Sequence, residues 1–442
     1  MKRSGLPANP VTTALLAAFR PKAGSSFPAT NVKIRLRSHL WPILAVLLLS
    51  LEFVWPSRAW VIMLFILGGA WLLATLWVRS LRRGLHFQRE KRYGWARVGD
   101  RLQEQFSIRN TGWAPGLWLE MEDHSTLPGY SNSRVTGVKG KDITRWEVEK
   151  VCTHRGLYTL GPTDLHTSDP LFIYNVEIHL PEFDALLVLP PVLPLPTFQI
   201  APGSQAGDGQ HAQHSELEVT SDAETVREYM PGDPLKIIHW PTSARQERLY
   251  VRQFQHTPAS DWWIFLDLEA SSQAGAGENS TEEHGIILAA SLANHGLRRG
   301  HAVGLVTCGK NLVWIPPRRD PSQLMEILRA LAQAQTGDRS LSELLQISQS
   351  SLQRGISLIL ITPNIKVDWI HPLLRLAKTK ITPTTFLFDP VSFGGKGNTH
   401  QALELLDHHG IAYNLIGRDL LDQSHATQAM QMPGQPGRGY TG

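Results

Sequence analysis

The stretch Trp262–Ser272, WWIFLDLEASS, decides the fold. Its apolar run is short, unbroken and stopped by Asp267, which reads as a strand buried on both faces. Runs of the same kind follow at HAVGLVTC (301–308), SLILITP (357–363), TPTTFLFD (382–389) and AYNLIG (412–417). Between them lie stretches with helical periodicity, at roughly 282–299, 321–334, 340–353, 368–379 and 399–409. Strands alternating with helices predict a mostly parallel sheet covered on both faces, a Rossmann-type α/β domain over 261–422.

In such a sheet ligands bind at the carboxyl ends of strands. The first carboxyl end carries Asp267, Glu269, Ser271 and Ser272. A buried strand ending in Asp, with oxygen side chains at alternate positions after it, resembles the metal-ion-dependent adhesion site of von Willebrand factor type A domains. That resemblance implies a von Willebrand A-like domain, with Asp267 and Ser271 at the first and third positions of an Asp-x-Ser-x-Ser pattern and Glu269 in place of the first Ser. Ser340 in DRSLSELL stands for the distant Thr. The later Asp is missing, because the corresponding strand ends Thr362-Pro363-Asn364. A hard cation wants several well-placed oxygens, so Mg²⁺ is the one metal this degenerate site would take, and otherwise no cofactor is expected.

Upstream, Arg227–Arg245 reads REYMPGDPLKIIHWPTSAR, a dense polar segment built on the strong turn Pro231-Gly232-Asp233-Pro234. Arg227, Arg245 and Arg248 offer planar forks to carboxylates, and Glu228 and Asp233 are the local candidates. The order Arg227-Glu228-Tyr229, Pro231-Gly232-Asp233, Trp240, Ser243-Ala244-Arg245 is similar to the signature of the domain of unknown function 58 family. HRGLYTLGPTDLHTSDPLFIY (154–174) resembles that family's upstream segment. His239 and Pro241 depart from its usual residues. The resemblance implies a bacterial membrane protein associated with MoxR-type AAA+ ATPases, and it makes the signature residues a docking surface. Ion pairing that clasps neighbouring segments together is the structural reading of the same residues.

Between Leu85 and about Pro196 short alternating runs are divided by turn residues, which predicts an all-β sandwich over 85–200. Residues 201–260 then form a linker, with APGSQAGDGQHAQHSE (201–216) flexible by composition, followed by the signature. The ends, 1–37 and 423–442, are expected to be disordered.

Residues 38–80 predict a transmembrane hairpin. Ala59–Val78 carries no charge and is long enough to cross roughly 30 Å of hydrocarbon. Leu40–Trp55 is shorter and carries Glu52 near its end. Lys33, Arg35 and Arg37 precede the pair and Arg79, Arg82 and Arg83 follow it, which places both termini in the cytoplasm by the positive-inside rule. The formal charge of +4 over 442 residues gives no reason to expect nucleic acid. Cys152 and Cys308 are the only cysteines, so no disulfide framework is expected.

No nucleophile elbow and no Walker loop occur. The sequence therefore predicts a membrane-anchored, non-enzymatic interaction protein. The alternatives are a Mg²⁺-dependent adhesion-type module and a hydrolase using Asp267 and Glu269 as an acid–base pair.

Overall fold

The computed structural model describes residues 27–28, 31–91, 93–196, 198, 200–203, 223–230, 238, 240–246, 248–255, 261–352 and 354–419. It falls into two compact units, Met1–Pro190 and Pro191–Gly442.

Among the described residues the first unit is all-β except for two helices, Leu40–Val54 and Arg58–Gly84. Ser57 starts the second helix by accepting the Ala59 N–H, and Arg82 and Arg83 sit in its last turn, where cations complement the helix dipole. Of the two, only Arg58–Gly84 is long and apolar enough to cross a membrane. It runs beyond the predicted end at Val78, and Ala74, Val78, Leu81 and Gly84 are buried. The last turns of this helix belong to a core cluster with Phe87, Phe106, Ile108, Leu119, Met121 and Val176. The hydrophobic run is thus read twice, as exposed helix surface at one end and as sandwich core at the other.

Sheets of four, five and three strands build the β region. Residues 1–37 are expected to be disordered throughout, but Asn31–Leu36 is a strand pairing with Tyr174–Leu180. Its alternation, Val32 and Ile34 inward against Lys33 and Arg35 outward, gives it an apolar face to bury. Arg89 lies between the sheets, 2.8 Å from Glu104 and 3.2 Å from Asp123, whose side chains are 0% and 1% exposed. The Tyr130 hydroxyl donates to Glu104, and the Arg89 guanidinium stands over the Phe106 ring.

The second unit contains the predicted α/β domain. Its elements are β1 (Trp262–Asp267), α1 (Thr281–Arg298), β2 (Val303–Cys308), β3 (Leu312–Arg318), α2 (Gln323–Gln333), α3 (Leu341–Ser348), β4 (Ser357–Thr362), α4 (Ile370–Ala377), β5 (Thr382–Phe388), α5 (His400–His408) and β6 (Ala412–Ile416). The six-stranded order is β3-β2-β1-β4-β5-β6. All neighbours are parallel except β2 and β3. Sequence reading missed β3, because LVWIPPR carries two prolines, which only an edge strand tolerates. α3, α4 and Leu406 of α5 pack on the sheet face that carries Trp263 and Phe265. α1 covers the other face, with Gly285 close to Leu266 and Phe388.

The signature segment forms a separate two-stranded hairpin, Ala223–Glu228 against Tyr250–Gln255, with a short helix at Trp240–Gln246.

Candidate functional site

β1 and β4 are adjacent, but the chain leaves their carboxyl ends in different directions, toward α1 on one face and α4 on the other. Such a switch point opens a crevice at the strand ends. Asp267 ends β1 and Thr362 ends β4, so the topology places both at this crevice.

Asp267 is 2% exposed. Its Oδ2 accepts the Thr362 hydroxyl at 2.6 Å and its Oδ1 accepts the Glu269 N–H at 3.0 Å. Burial pushes its carboxyl up to about 6; the two donors pull against that rise, and the charges of Glu269 and Asp368 add to it. Glu269 Oε1 accepts the Ser271 hydroxyl at 2.6 Å, while the buried Oε2 has no hydrogen-bond partner among the described residues. Gln273 donates to the backbone carbonyls of Asp267 and Glu269, both at 3.3 Å.

A second wall comes from the chain between α2 and α3. Glu269 and Gly337 form an isolated parallel bridge, with the Ala270 N–H donating to the Gly337 carbonyl at 2.8 Å and the Gly337 N–H to that of Leu268 at 3.0 Å. This approach requires glycine. A Cβ on Gly309 would lie 1.8 Å from the Gln335 carbonyl oxygen, and one on Gly337 would lie 2.3 Å from the Gly309 carbonyl carbon.

The structure therefore brings Asp267, Glu269 and Ser271 together. Ser340 is used elsewhere, since its hydroxyl accepts the Glu343 N–H at 3.2 Å and starts α3. The hydroxyl that reaches Asp267 is Thr362, which sequence reading passed over as a strand terminus. The cue was the spacing of parallel strands, since β1 and β4 end level with each other in register. Asn364 stands where a further carboxylate is expected, and its side-chain oxygen accepts the Lys366 N–H.

As a cation cradle this set is incomplete. Both Asp267 oxygens hold donors, Ser271 gives its proton to Glu269, and among the described residues no group of three His, Cys, Asp or Glu side chains is placed to hold a metal. The residues do not form a closed shell for a hard ion, which takes six or more oxygens. Among the described residues of the crevice, none of the hydroxyls or thiols is paired with a base that would activate it. Cys308 at the end of β2 is buried, and burial raises its thiol, with Arg339 opposing from 4.0 Å.

The signature residues lie apart from this crevice in the chain. Pro231, Gly232, Asp233 and the Arg227 side chain are outside the described residues. The Ser243 hydroxyl accepts the Tyr250 N–H at 2.8 Å, fastening the short helix to the hairpin. The Tyr229 N–H donates to the Leu249 carbonyl at 2.8 Å, extending the pairing. Ala244 and Arg245 are exposed, and Trp240 is 64% exposed. Arg248 pairs with Glu228 at 3.2 Å on the surface. Exposed pairs contribute about 0–1 kcal/mol, so this pair is too weak to act as a clasp.

Residues 225–391 match the family described as protein of unknown function DUF58. The uncharacterized protein YeaD of Bacillus subtilis (strain 168) is 24% identical over 279 residues, covering 60% of this chain and 65% of its own length. The uncharacterized protein Rv1480 of Mycobacterium tuberculosis is 22% identical over 170 residues, covering 37% of this chain and 54% of its own length. The chain thus spans under two thirds of the Bacillus relative and about half of the mycobacterial one. Among solved structures, an aerotolerance-related membrane protein of Bacteroides fragilis is similar at 14% identity and a TM-score of 0.27, over 38% of this chain and 98% of its own. The VWA domain of SpRpn10 is similar at 15% identity and a TM-score of 0.27, over 41% and 99%. At such scores these likenesses carry no weight, and the fold rests on the strand order above. The stretch similar to the DUF58 family model, residues 225–391, runs from the signature hairpin to the turn after β5.

Proposed function

We propose that this protein is a membrane-anchored, non-enzymatic interaction module. In this reading the helices Leu40–Val54 and Arg58–Gly84 form a hairpin in the membrane with the remaining chain on the cytoplasmic side, and the von Willebrand A-like sheet domain docks a protein partner. The observation that carries the reading is the crevice between β1 and β4. Two of its hydroxyls, Thr362 and Ser271, donate to carboxylates, which supports polar recognition rather than nucleophilic chemistry. Strand order 3-2-1-4-5-6 with an antiparallel third strand supports the von Willebrand A-like assignment. The partner of the MoxR AAA+ ATPase type is what the signature's resemblance to the domain of unknown function 58 family implies; the family match itself names no partner.

The test is photo-crosslinking of the full chain in its native membranes, with the crosslinker at Asp338 beside the crevice. An ATPase of that type among the adducts is the expected outcome. Adducts that never contain one, from protein that is folded and membrane-bound, overturn the partner. Turnover of a hydrolysable substrate lost in Asp267→Asn would overturn the non-enzymatic reading.

A Mg²⁺-dependent form of the same module is favoured by one observation, the unpartnered buried Oε2 of Glu269. Calorimetric titration with Mg²⁺ checks it. Heat that disappears in Glu269→Gln supports the ion, and no heat in the parent chain excludes it.

A further inference from the structure

The helix Arg58–Gly84 ends inside the β sandwich, and four connections of the sandwich gather around the point where it enters. They are 37–39, 111–115, 139–142 and 169–173. Register places them there: Leu85, where the helix ends, pairs with Asn110, Arg109 with Ile143, Thr167 with Leu119, and Tyr174 with Leu36. Hydrogen bonds tie these connections together. The Ala114 N–H donates to Ser80 Oγ at 3.3 Å, the Lys141 N–H to the Gly112 carbonyl at 3.0 Å, and the Arg37 N–H to the Ile173 carbonyl at 2.8 Å.

This end of the sandwich is apolar where it should be solvated. Leu171 and Phe172 are each 41% exposed, and Trp113 is 52% exposed. The loop holding the first two is braced from within. Buried Asp169 accepts the N–H groups of Leu171 at 2.9 Å and Tyr174 at 2.6 Å. Phe172 is held at φ 55°, a left-handed backbone that a bulky side chain rarely adopts. Its ring stacks on Trp118 and lies 5.1 Å from the Arg37 guanidinium. Arg37, Arg79, Lys139 and Lys141 are exposed around the same end. The carboxylates there, Asp142 and Asp169, accept backbone N–H groups.

Length then supplies the reason for contact. Ala74 is the first buried residue of the helix 58–84, although Leu76 beyond it is still 45% exposed, and the 15 residues from Ala59 to Leu73 span about 22 Å. The partner helix, Leu40–Val54, is also 15 residues. The part of the long helix ahead of its first buried residue and the whole of the short helix each fall short of the roughly 30 Å of a hydrocarbon layer, although the long helix taken whole does not. A short anchor draws whatever is rigidly joined to it into the headgroup region.

We propose that this end of the sandwich is seated in the surface of a bilayer rich in anionic phospholipid, with Leu171, Phe172 and Trp113 in the interface and Arg37, Lys139 and Lys141 against the lipid phosphates. The seat rests on the membrane-anchor reading above and goes beyond it, since an anchor alone requires no contact between sandwich and lipid. It gives the Ser168-Asp169-Pro170-Leu171-Phe172 motif a role as an interfacial wedge. Amphipathic aromatics and basic side chains are the residue types that occupy this layer.

The experiment uses the full chain in nanodiscs of phosphatidylcholine, with or without phosphatidylglycerol. Cys152 and Cys308 are buried, so Leu171→Cys can be labelled selectively with an environment-sensitive fluorophore. The expected result is blue-shifted emission quenched by headgroup-proximal spin-labelled lipid, severalfold more strongly with phosphatidylglycerol present. The triple variant Arg37→Glu, Lys139→Glu, Lys141→Glu on the labelled background should lose that lipid dependence while keeping its melting temperature. If the triple variant melts early, Lys139→Gln with Lys141→Gln provides the same comparison. Emission typical of a water-exposed label, from protein retained in the discs after an alkaline carbonate wash, overturns the seat and leaves the anchor intact. Protein removed by the wash overturns both. Quenching equal in the two lipid mixtures overturns the role of anionic lipid.

Discussion

Asp267 sets the chemistry of the crevice because a carboxyl group buried to this degree is poorly stabilised as an anion. Its folded-state value of about 6 lies above the ordinary 3.8, a displacement that corresponds to roughly 3 kcal/mol. The native state therefore holds this proton more tightly than the unfolded chain does. The stabilisation is fully present below pH 4, declines as pH rises, and is gone above about pH 6. Chemical denaturation across that window, compared between the parent chain and Asp267→Asn, should show the parent's advantage falling by up to about 3 kcal/mol between pH 4 and pH 7. A difference that stays flat would mean the carboxyl ionises normally. Ser340 gives a second residue-level test. Because its oxygen caps α3, Ser340→Ala should lower stability by about 1 kcal/mol while Ser340→Asp retains it. Equal losses in the two variants, read by thermal melting, would argue against a cap.

At the scale of elements, the strands are held in their layers by two different means. In the α/β unit β1, β2 and β4 are buried at every position, and apolar packing suffices. In the β unit, Arg89 on one sheet reaches Asp123 on the other and Glu104 on its own, both carboxylates without solvent. Removing the cation would leave two buried acids facing each other. Arg89→Met should cost about 3–5 kcal/mol in unfolding free energy, which denaturant titration of the parent and the variant measures. A loss below about 1 kcal/mol would show that water reaches the pair. Sequence reading recognised the alternating strands but not this pin, because Arg89, Glu104 and Asp123 lie far apart in the chain and each resembles an ordinary polar position.

At the scale of the molecule, the long helix serves two parts at once. Its first half presents Phe65 and Ile66 outward, and its second half completes the core of the sandwich. Leu81, fully buried, belongs to the second half. Leu81→Ala should cost about 2–5 kcal/mol and destabilise the β sandwich while leaving the chain in the membrane fraction after carbonate extraction. Release from the membrane would mean that the helix end, not its exposed half, governs attachment. The division between the halves shows why hydropathy alone does not separate the exposed part of the apolar segment from its buried part: both are built from the same residue types, and only the burial of Ala74, Val78 and Leu81 tells them apart.

Read alone, the sequence determined the elements whose burial is periodic or continuous. The strands at Trp262, Val303, Ser357, Thr382 and Ala412, the intervening helices, the alternating strands after Leu85 and the apolar run before it were all legible, because burial constrains side-chain type one position at a time. The polar order from Arg227 to Arg245 likewise pointed to the DUF58 family, whose model matches residues 225–391. The tertiary structure decided which oxygens meet. Thr362 reaches Asp267 across a strand boundary, Gly309 and Gly337 let two loops touch, and Ser340 turns away to cap a helix. Those outcomes depend on strand order and register, which place residues almost a hundred positions apart within hydrogen-bond distance, and no local pattern encodes them.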